Sequence, residues 1–303
     1  MIKDLFYKWL AKKFVPAWTK DMEEEGILQH VMGHDINEVP ESEYILVEDN
    51  RADVTIFVFS GLDGLFAAGP RFEFKSIFAK LGQGYNVVFI RELRGMFYHV
   101  APNGVVDGLE FYERKISDLM KRLGARHNIS IGFSAGGTAA YYFGSRCGMD
   151  KIIGFGPAFP ITVYTSGLNI LRSLLNASLA TRSFAAYCEI LAVTIWGRIS
   201  QHRLGKVLNG KPQWDVFAAY RDAPKGRPLG TIIYGVHSLP DARQAALMRQ
   251  FDEIKLLPID TGFHNVPGEL KKRGELGTVL LNELNEYLSA HETYVTPLAA
   301  NQR

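Results

Sequence analysis

Short apolar runs alternate with segments of helical periodicity along this 303-residue sequence, and this alternation limits its possible folds more than any other feature. The runs with the composition of buried strands are VTIFVF at 54–59, YNVVFI at 85–90, ISI at 129–131 and KIIGF at 151–155, with a further candidate at 44–47. Helical patterns lie between them at 72–81, 106–123 and 136–146. Strands that are apolar on both faces are typical of parallel sheets covered by helices. We therefore predict an α/β fold with a doubly wound, mostly parallel sheet.

The alternation stops over residues 161–226, a long apolar stretch with a mostly helical pattern, and then resumes. The later elements are strands predicted at 231–235 and 254–259 and helices predicted at 241–249 and 268–290. The predicted units are an N-terminal helical segment at 1–42 on or beside the core, an α/β core at 43–160 and 227–290, a helical cap at 161–226 and a tail at 291–303. The N-terminal segment begins with a basic amphipathic pattern, which either docks on the domain or lies on a membrane surface.

The strongest local motif is Gly132-Phe133-Ser134-Ala135-Gly136, with an apolar strand predicted before it and a helix after it. A serine on such a sharp strand-to-helix turn projects its hydroxyl above the sheet. The turn needs residues without bulk two positions before and two positions after the serine. Gly132 and Gly136 meet this requirement, so the motif indicates a nucleophile elbow with Ser134 as the nucleophile. The alternative is a glycine-rich turn that merely contains a serine.

With the motif in this context, residues 43–290 resemble the α/β-hydrolase superfamily, in particular its serine esterases and lipases. The resemblance is specific at the elbow and weaker elsewhere. It implies that an acid and then a histidine follow the serine along the chain. The implied acid is Asp241, which follows the predicted strand at 231–235, and its alternatives are Asp252 and Asp260. The structural alternative for Asp241 is a helix N-cap.

The implied histidine is His264, in the loop after the predicted strand at 254–259. The alternative histidine is His237. It is also possible to interpret His264 as a loop histidine without a function. A neutral serine hydroxyl is a poor nucleophile and needs a base within hydrogen-bond reach. By the resemblance, His264 takes the proton of Ser134, and Asp241 orients the imidazole and stabilises its charged form.

The resemblance also implies two backbone N–H donors for the oxyanion that forms during the reaction. Ala135, the residue after the nucleophile, supplies one of them. The other is expected after the strand at 54–59, on Leu62 or alternatively on Gly61. This loop lacks the His-Gly-Gly-Gly run of many esterases of the superfamily, which leaves the identity of the second donor open.

Charged and aromatic residues also follow the predicted strand at 85–90, namely Arg91, Arg94, Tyr98 and His99. The carboxyl ends of strands in α/β sheets face the ligand crevice. These residues are therefore expected either to contact the substrate or to form a surface salt-bridge cluster with Glu92.

Composition and motifs argue against several other classes of protein. The formal net charge of +2 gives no electrostatic case for a nucleic-acid partner. The sequence has no P-loop, no complete dinucleotide fingerprint and no His-Glu-x-x-His motif, so we expect neither a cofactor nor a metal. No apolar stretch approaches the roughly 20 residues of a transmembrane segment, and the N-terminus lacks the pattern of a signal peptide. A cytoplasmic location is therefore expected.

The expected function is hydrolysis of a carboxylic ester, or of a thioester, through an acyl-enzyme intermediate. The apolar cap favours a small-molecule substrate with a hydrophobic part, unless its apolar residues form only the core of the cap or a dimer contact. A homo-oligomer is left open. An acyltransferase and an amidase or peptidase would use the same triad, and fold analogy does not choose among them. The alternative from another class is a non-catalytic binding protein on a hydrolase scaffold.

Overall fold

The computed structural model describes residues 39–61, 72–82, 84–159 and 183–291. The predicted N-terminal helical segment, except for its last few residues, lies outside the described residues. So do Leu62, residues 160–182 of the chain and all but the first residue of the predicted tail.

The centre of the fold is a seven-stranded sheet with the strand order β1-β3-β2-β4-β5-β6-β7. The strands are β1 (Ile45–Glu48), β2 (Val54–Phe59), β3 (Asn86–Ile90), β4 (His127–Phe133), β5 (Lys151–Phe155), β6 (Leu229–Gly235) and β7 (Ile254–Ile259). Only the β1–β3 pair is antiparallel among the strand pairs of this sheet. The prediction of a mostly parallel, doubly wound sheet is confirmed.

Helices connect the parallel strands and cover the sheet. They are α1 (Lys75–Leu81), α2 (Gly108–Leu123), α3 (Ala135–Arg146), α4 (Phe184–Leu208), α5 (Val216–Arg221), α6 (Leu239–Leu247), α7 (Val266–Lys272) and α8 (Leu276–Ala290), with short 3-10 helices at Glu41–Glu43 and Met248–Gln250. The single terminal helix predicted at 268–290 is wrong, because the chain forms α7 and α8 instead. Gly274, with a φ of 72°, lies between them in the left-handed region that ends helices.

The two faces of the sheet belong to separate apolar clusters. Strand β2 shows this alternation, since Phe57 and Phe59 pack with side chains of α2 and α3, whereas Ile56 and Val58 pack with side chains of α1 and α8. Successive side chains of a strand point to opposite faces, so a strand buried on both sides must be apolar at every position. This requirement explains the uninterrupted apolar run at 54–59.

The chain between β5 and β6 contributes α4 and α5. Ser183 caps the start of α4 by accepting a hydrogen bond from the N–H of Ala186, and Asn209, in the left-handed conformation, ends this helix. We call α4 the insertion helix. None of the helices among the described residues is both long enough and apolar enough to cross a membrane.

Candidate active site

Ser134 lies in the single-residue turn between β4 and α3, and its side chain is partly exposed. Its backbone has φ 54° and ψ −121°, a strained conformation for a residue with a side chain. The turn is tight on both sides. A Cβ added to Gly132 would lie 2.2 Å from the carbonyl oxygen of Gly136, and one added to Gly136 would lie 2.2 Å from that of Phe59. Both positions therefore require glycine.

Hydrogen bonds hold this strained turn in place. The N–H of Ser134 donates to the carbonyl of Phe155 at the end of β5, at 2.8 Å, and its own carbonyl accepts from the N–H of Thr138 at 3.0 Å. The Thr138 hydroxyl in turn accepts a hydrogen bond from the N–H of Ala158 at 2.9 Å. Strain of this kind persists only where the surroundings fix the backbone, and strained residues cluster at functional sites.

The structure brings Ser134, His264 and Asp241 together in one hydrogen-bonded chain. The Oγ of Ser134 is 2.9 Å from Nε2 of His264, and Nδ1 of His264 is 2.9 Å from Oδ1 of Asp241. Both His264 and Asp241 are buried. Asp241 lies in the first turn of α6, whereas Ser238 occupies the N-cap position, so the reading of Asp241 as the N-cap is wrong.

The pKa of His264 is raised above its ordinary value. Burial alone lowers this pKa, but the charge of Asp241, its hydrogen bond and the charge of Glu189 together outweigh burial. A hydroxyl, an imidazole and a buried carboxylate in this order can convert the hydroxyl into a nucleophile, since the imidazole accepts its proton and the carboxylate stabilises the resulting imidazolium.

The alternative site residues lie outside this chain of hydrogen bonds. Nε2 of His237 is 2.7 Å from Oδ1 of Asp260, so the two alternatives pair with each other. The side chain of Asp260 is 88% exposed, and Asp252 is exposed as well. An exposed carboxylate is screened by water and orients a partner weakly.

The two expected oxyanion donors in the described part of the chain flank the serine. Ala135 is the first residue of α3, and the first N–H groups of a helix have no acceptor within the helix. Gly61 also lies against the serine, since a Cβ added there would be 3.7 Å from Cβ of Ser134. Its N–H, however, donates to Oε1 of Glu73 at 3.1 Å. Leu62 is outside the described residues.

Residues 91–99 after β3, which we call the brace, are buried or half-buried, and this corrects the expectation of a surface salt-bridge cluster with Glu92. Glu92 is buried and accepts hydrogen bonds from the N–H groups of Arg94 and Met96, so it forms no surface cluster. Tyr98 is buried and donates its hydroxyl hydrogen bond to the carbonyl of Ser60 at 2.8 Å. His99, also buried, accepts a hydrogen bond at Nε2 from the N–H of Trp214.

The same brace joins the insertion helix to the elbow. Burial lowers the pKa of His99 to about 4, so this ring is neutral and can accept at Nε2. Beside it, an apolar cluster forms where the brace and the insertion helix meet Ala135. Its members include Met96, Phe97, Val100, Ala135, Leu204 and Leu208.

The structure also brings Glu189, a residue not identified from the sequence, next to the site. This residue of the insertion helix accepts a hydrogen bond from the N–H of Asn265, directly after His264, at 2.8 Å. A sequence signal existed, since Glu189 is the only charged residue between Arg182 and Arg198. A single carboxylate in an apolar helical stretch needs a partner.

Among the described residues, no group of three or more histidine, cysteine or acidic side chains is arranged to hold a metal ion.

No protein-family model matches the sequence, and no curated protein matches it. The structure is similar to that of a carboxylesterase of the ammonia-oxidizing thaumarchaeon Nitrososphaera gargenis, with a TM-score of 0.51, 14% identity and coverage of 82% of this chain and 95% of that chain. It is also similar to a protein described as of unknown function from Staphylococcus aureus subsp. aureus Mu50, with a TM-score of 0.52, 11% identity and coverage of 81% and 93%.

At these identities the likeness concerns the fold alone. Together with the strand order and the turn at Ser134, it defines an α/β-hydrolase fold, as the sequence resemblance implied.

Proposed function

We propose that this protein is a serine hydrolase that cleaves a carboxylic ester, or a thioester, through an acyl-enzyme intermediate on Ser134. The observation that carries the proposal is the chain of two 2.9 Å hydrogen bonds from Ser134 through His264 to Asp241. Nucleophile, base and orienting acid are each within hydrogen-bond reach of the next, which is the geometric requirement for nucleophilic catalysis.

In the first half of the proposed reaction, Oγ of Ser134 attacks the carbonyl carbon of the substrate and its proton passes to Nε2 of His264. Asp241 stabilises the imidazolium that forms. The tetrahedral intermediate then breaks its bond to the leaving oxygen or sulfur, which takes the proton from His264. In the second half, His264 removes a proton from water, which attacks the acyl-enzyme. The second tetrahedral intermediate breaks its bond to Oγ of Ser134, which takes the proton back from His264, so that the free acid is released and the serine is regenerated.

The negative oxygen of the tetrahedral intermediate needs two donors, and we assign the Ala135 N–H as the first. Because the N–H of Gly61 already donates to Glu73, we favour Leu62 over Gly61 for the second. Loss of one such donor removes about 3 kcal/mol of transition-state stabilisation.

We further propose that the predicted cap at 161–226 acts as a helical lid over the α/β core formed by 43–160 and 227–290. Support comes from the apolar contacts of Leu204 and Leu208 with the brace and with Ala135, next to the nucleophile. An apolar cover excludes water and favours a small-molecule ester with a hydrophobic part. A cytoplasmic location remains part of the proposal, as does an N-terminal helical segment at 1–42 packed on or beside the core.

The direct test is labelling by a fluorophosphonate probe, which reacts with activated serines. Wild type is expected to label, and Ser134→Ala to lose labelling completely. Ser145→Ala is the matched control, since it removes a hydroxyl from the other end of the same helix, where that hydroxyl donates to the Tyr141 carbonyl. Labelling of Ser134→Ala at the wild-type level, or a folded wild type that does not label, contradicts the proposal and favours a binding protein on this scaffold.

A second assay defines the reaction. Esters and thioesters of graded acyl length are compared with the matching amides, in the presence and absence of an alcohol acceptor. Hydrolysis that the alcohol does not suppress is the expected result. Acyl transfer to the alcohol in preference to water, or turnover of amides alone, would replace the esterase assignment by an acyltransferase or an amidase.

A further inference from the structure

The insertion helix contacts the loop that carries His264 on both sides of the histidine. Before the histidine, Phe263 packs against Ala186 and Ile190 of this helix. After it, the N–H of Asn265 donates to Oε1 of Glu189 at 2.8 Å. The histidine backbone is therefore held from the insertion as well as from the core.

Asn265, which donates to Glu189, is also hydrogen-bonded to the core. The side chain of Asn265 accepts a hydrogen bond from the N–H of Gly268 at 2.9 Å and so caps α7. The same residue thus joins α7 through its side chain and the insertion helix through its main chain. A shift of the insertion helix would pull on the peptide next to His264.

The charged groups that act on Glu189 include the proposed base and acid of the candidate active site. The titratable groups that act on Glu189 include His264, Asp241 and Glu269, and those that act on His264 include Asp241 and Glu189. Burial raises the pKa of Glu189, whereas the charge of His264 and the hydrogen bond from Asn265 act in the opposite direction. His264 therefore interacts with the charges of two carboxylates, one from the core and one from the insertion helix.

We propose that Glu189 is a positioning residue that links the insertion helix to the catalytic base: it tethers the His264 loop and adds a second negative charge that favours the imidazolium. The proposal rests on the function proposed above for Ser134 and His264. The imidazolium that forms during proton transfer is stabilised by both carboxylates, Asp241 and Glu189.

Two substitutions separate the charge from the tether. Glu189→Gln keeps a carbonyl oxygen that can accept from the Asn265 N–H but removes the charge, whereas Glu189→Ala removes both. The matched control is Glu269→Gln, since Glu269 is a carboxylate that also acts on Glu189 but pairs with Lys272 at 2.6 Å.

The first measurement is an NMR titration of His264 in the full-length Ser134→Ala protein, which needs no activity. Glu189→Gln is expected to lower the pKa of His264 by roughly half to one unit, the size of a charge interaction in partly solvated protein. Glu269→Gln is expected to leave it unchanged. An unchanged His264 pKa in Glu189→Gln, or an equal fall in both variants, overturns the proposal.

The second measurement is the pH profile of kcat/KM with the serine in place. Neutral His264 is the base, so a lower pKa moves the acid limb of the profile of Glu189→Gln to lower pH, while the plateau falls a few-fold. Glu189→Ala should show the same shift and a further several-fold loss of kcat. Equal kcat values for the two variants overturn the tether. Failure of wild type to label at Ser134 contradicts the proposed function instead, and the NMR titration still reports on Glu189.

Discussion

Replacing Gly132 by alanine puts a methyl group where the turn at Ser134 has no room for one. The added Cβ would lie 2.2 Å from the carbonyl oxygen of Gly136, 2.3 Å from its carbonyl carbon and 2.8 Å from the nitrogen of Gly137. All three are main-chain atoms, so no side chain can rotate away to relieve the contact. Strand β4 and helix α3 must move apart instead.

The size of that movement follows from the contact. A Cβ atom in a protein essentially never lies closer than 3.0 Å to an atom of a residue that is not its neighbour in the chain. The 2.2 Å contact therefore requires a displacement of at least 0.8 Å, the difference between the two distances. Overpacking of this kind costs about 1–3 kcal/mol of folding stability. Since Ser134 lies between the two glycines, its Oγ moves relative to His264 by a similar distance. A misplacement on the order of 1 Å lowers a reaction rate roughly 100-fold.

The assay combines thermal unfolding with the rate of fluorophosphonate labelling. Gly132→Ala should unfold several degrees lower, at about 2–4 °C per kcal/mol, and label roughly 100-fold more slowly. Gly277→Ala is the control, because a Cβ there meets no atom within 4 Å and the residue lies in α8. It should retain the labelling rate and gain up to about 1 kcal/mol of stability. A Gly132→Ala protein with wild-type stability and labelling would refute the reasoning.

Three further predictions concern the acid, the base and the brace. Asp241→Asn should lower kcat by about 10⁴-fold and Asp260→Asn by little, since only Asp241 is buried against His264. If steady-state assays show the larger loss for Asp260→Asn, the acid is Asp260. The kcat/KM profile should fall as the pH drops through the raised pKa of His264, and an acid limb below the ordinary histidine range would contradict that pKa shift. Tyr98→Phe should lose about 1–2 kcal/mol in urea unfolding, because the Ser60 carbonyl loses a buried donor; an unchanged midpoint would count against this.

The fold class and the elbow could be predicted from the sequence because both depend on neighbours in the chain. Continuous apolar runs specify strands buried on both faces, and the glycines at 132 and 136 specify a turn without room for side chains. The order of serine, acid and histidine then limited the candidate site to a few residues. The catalytic roles of these residues stay a prediction that the labelling and kinetic experiments test.

The sequence by itself thus determined the sheet, its helical crossovers and the turn that carries Ser134, since these follow from periodicity and from local steric limits. The resemblance favoured Asp241 over Asp252 and Asp260, but only the tertiary structure shows its carboxylate 2.9 Å from His264, because no local rule tells which carboxylate reaches a histidine 23 residues away in the chain. It alone brought Glu189 to Asn265, 76 residues further along. Such contacts depend on how complete helices pack on the sheet, and the packing is a property of the whole chain.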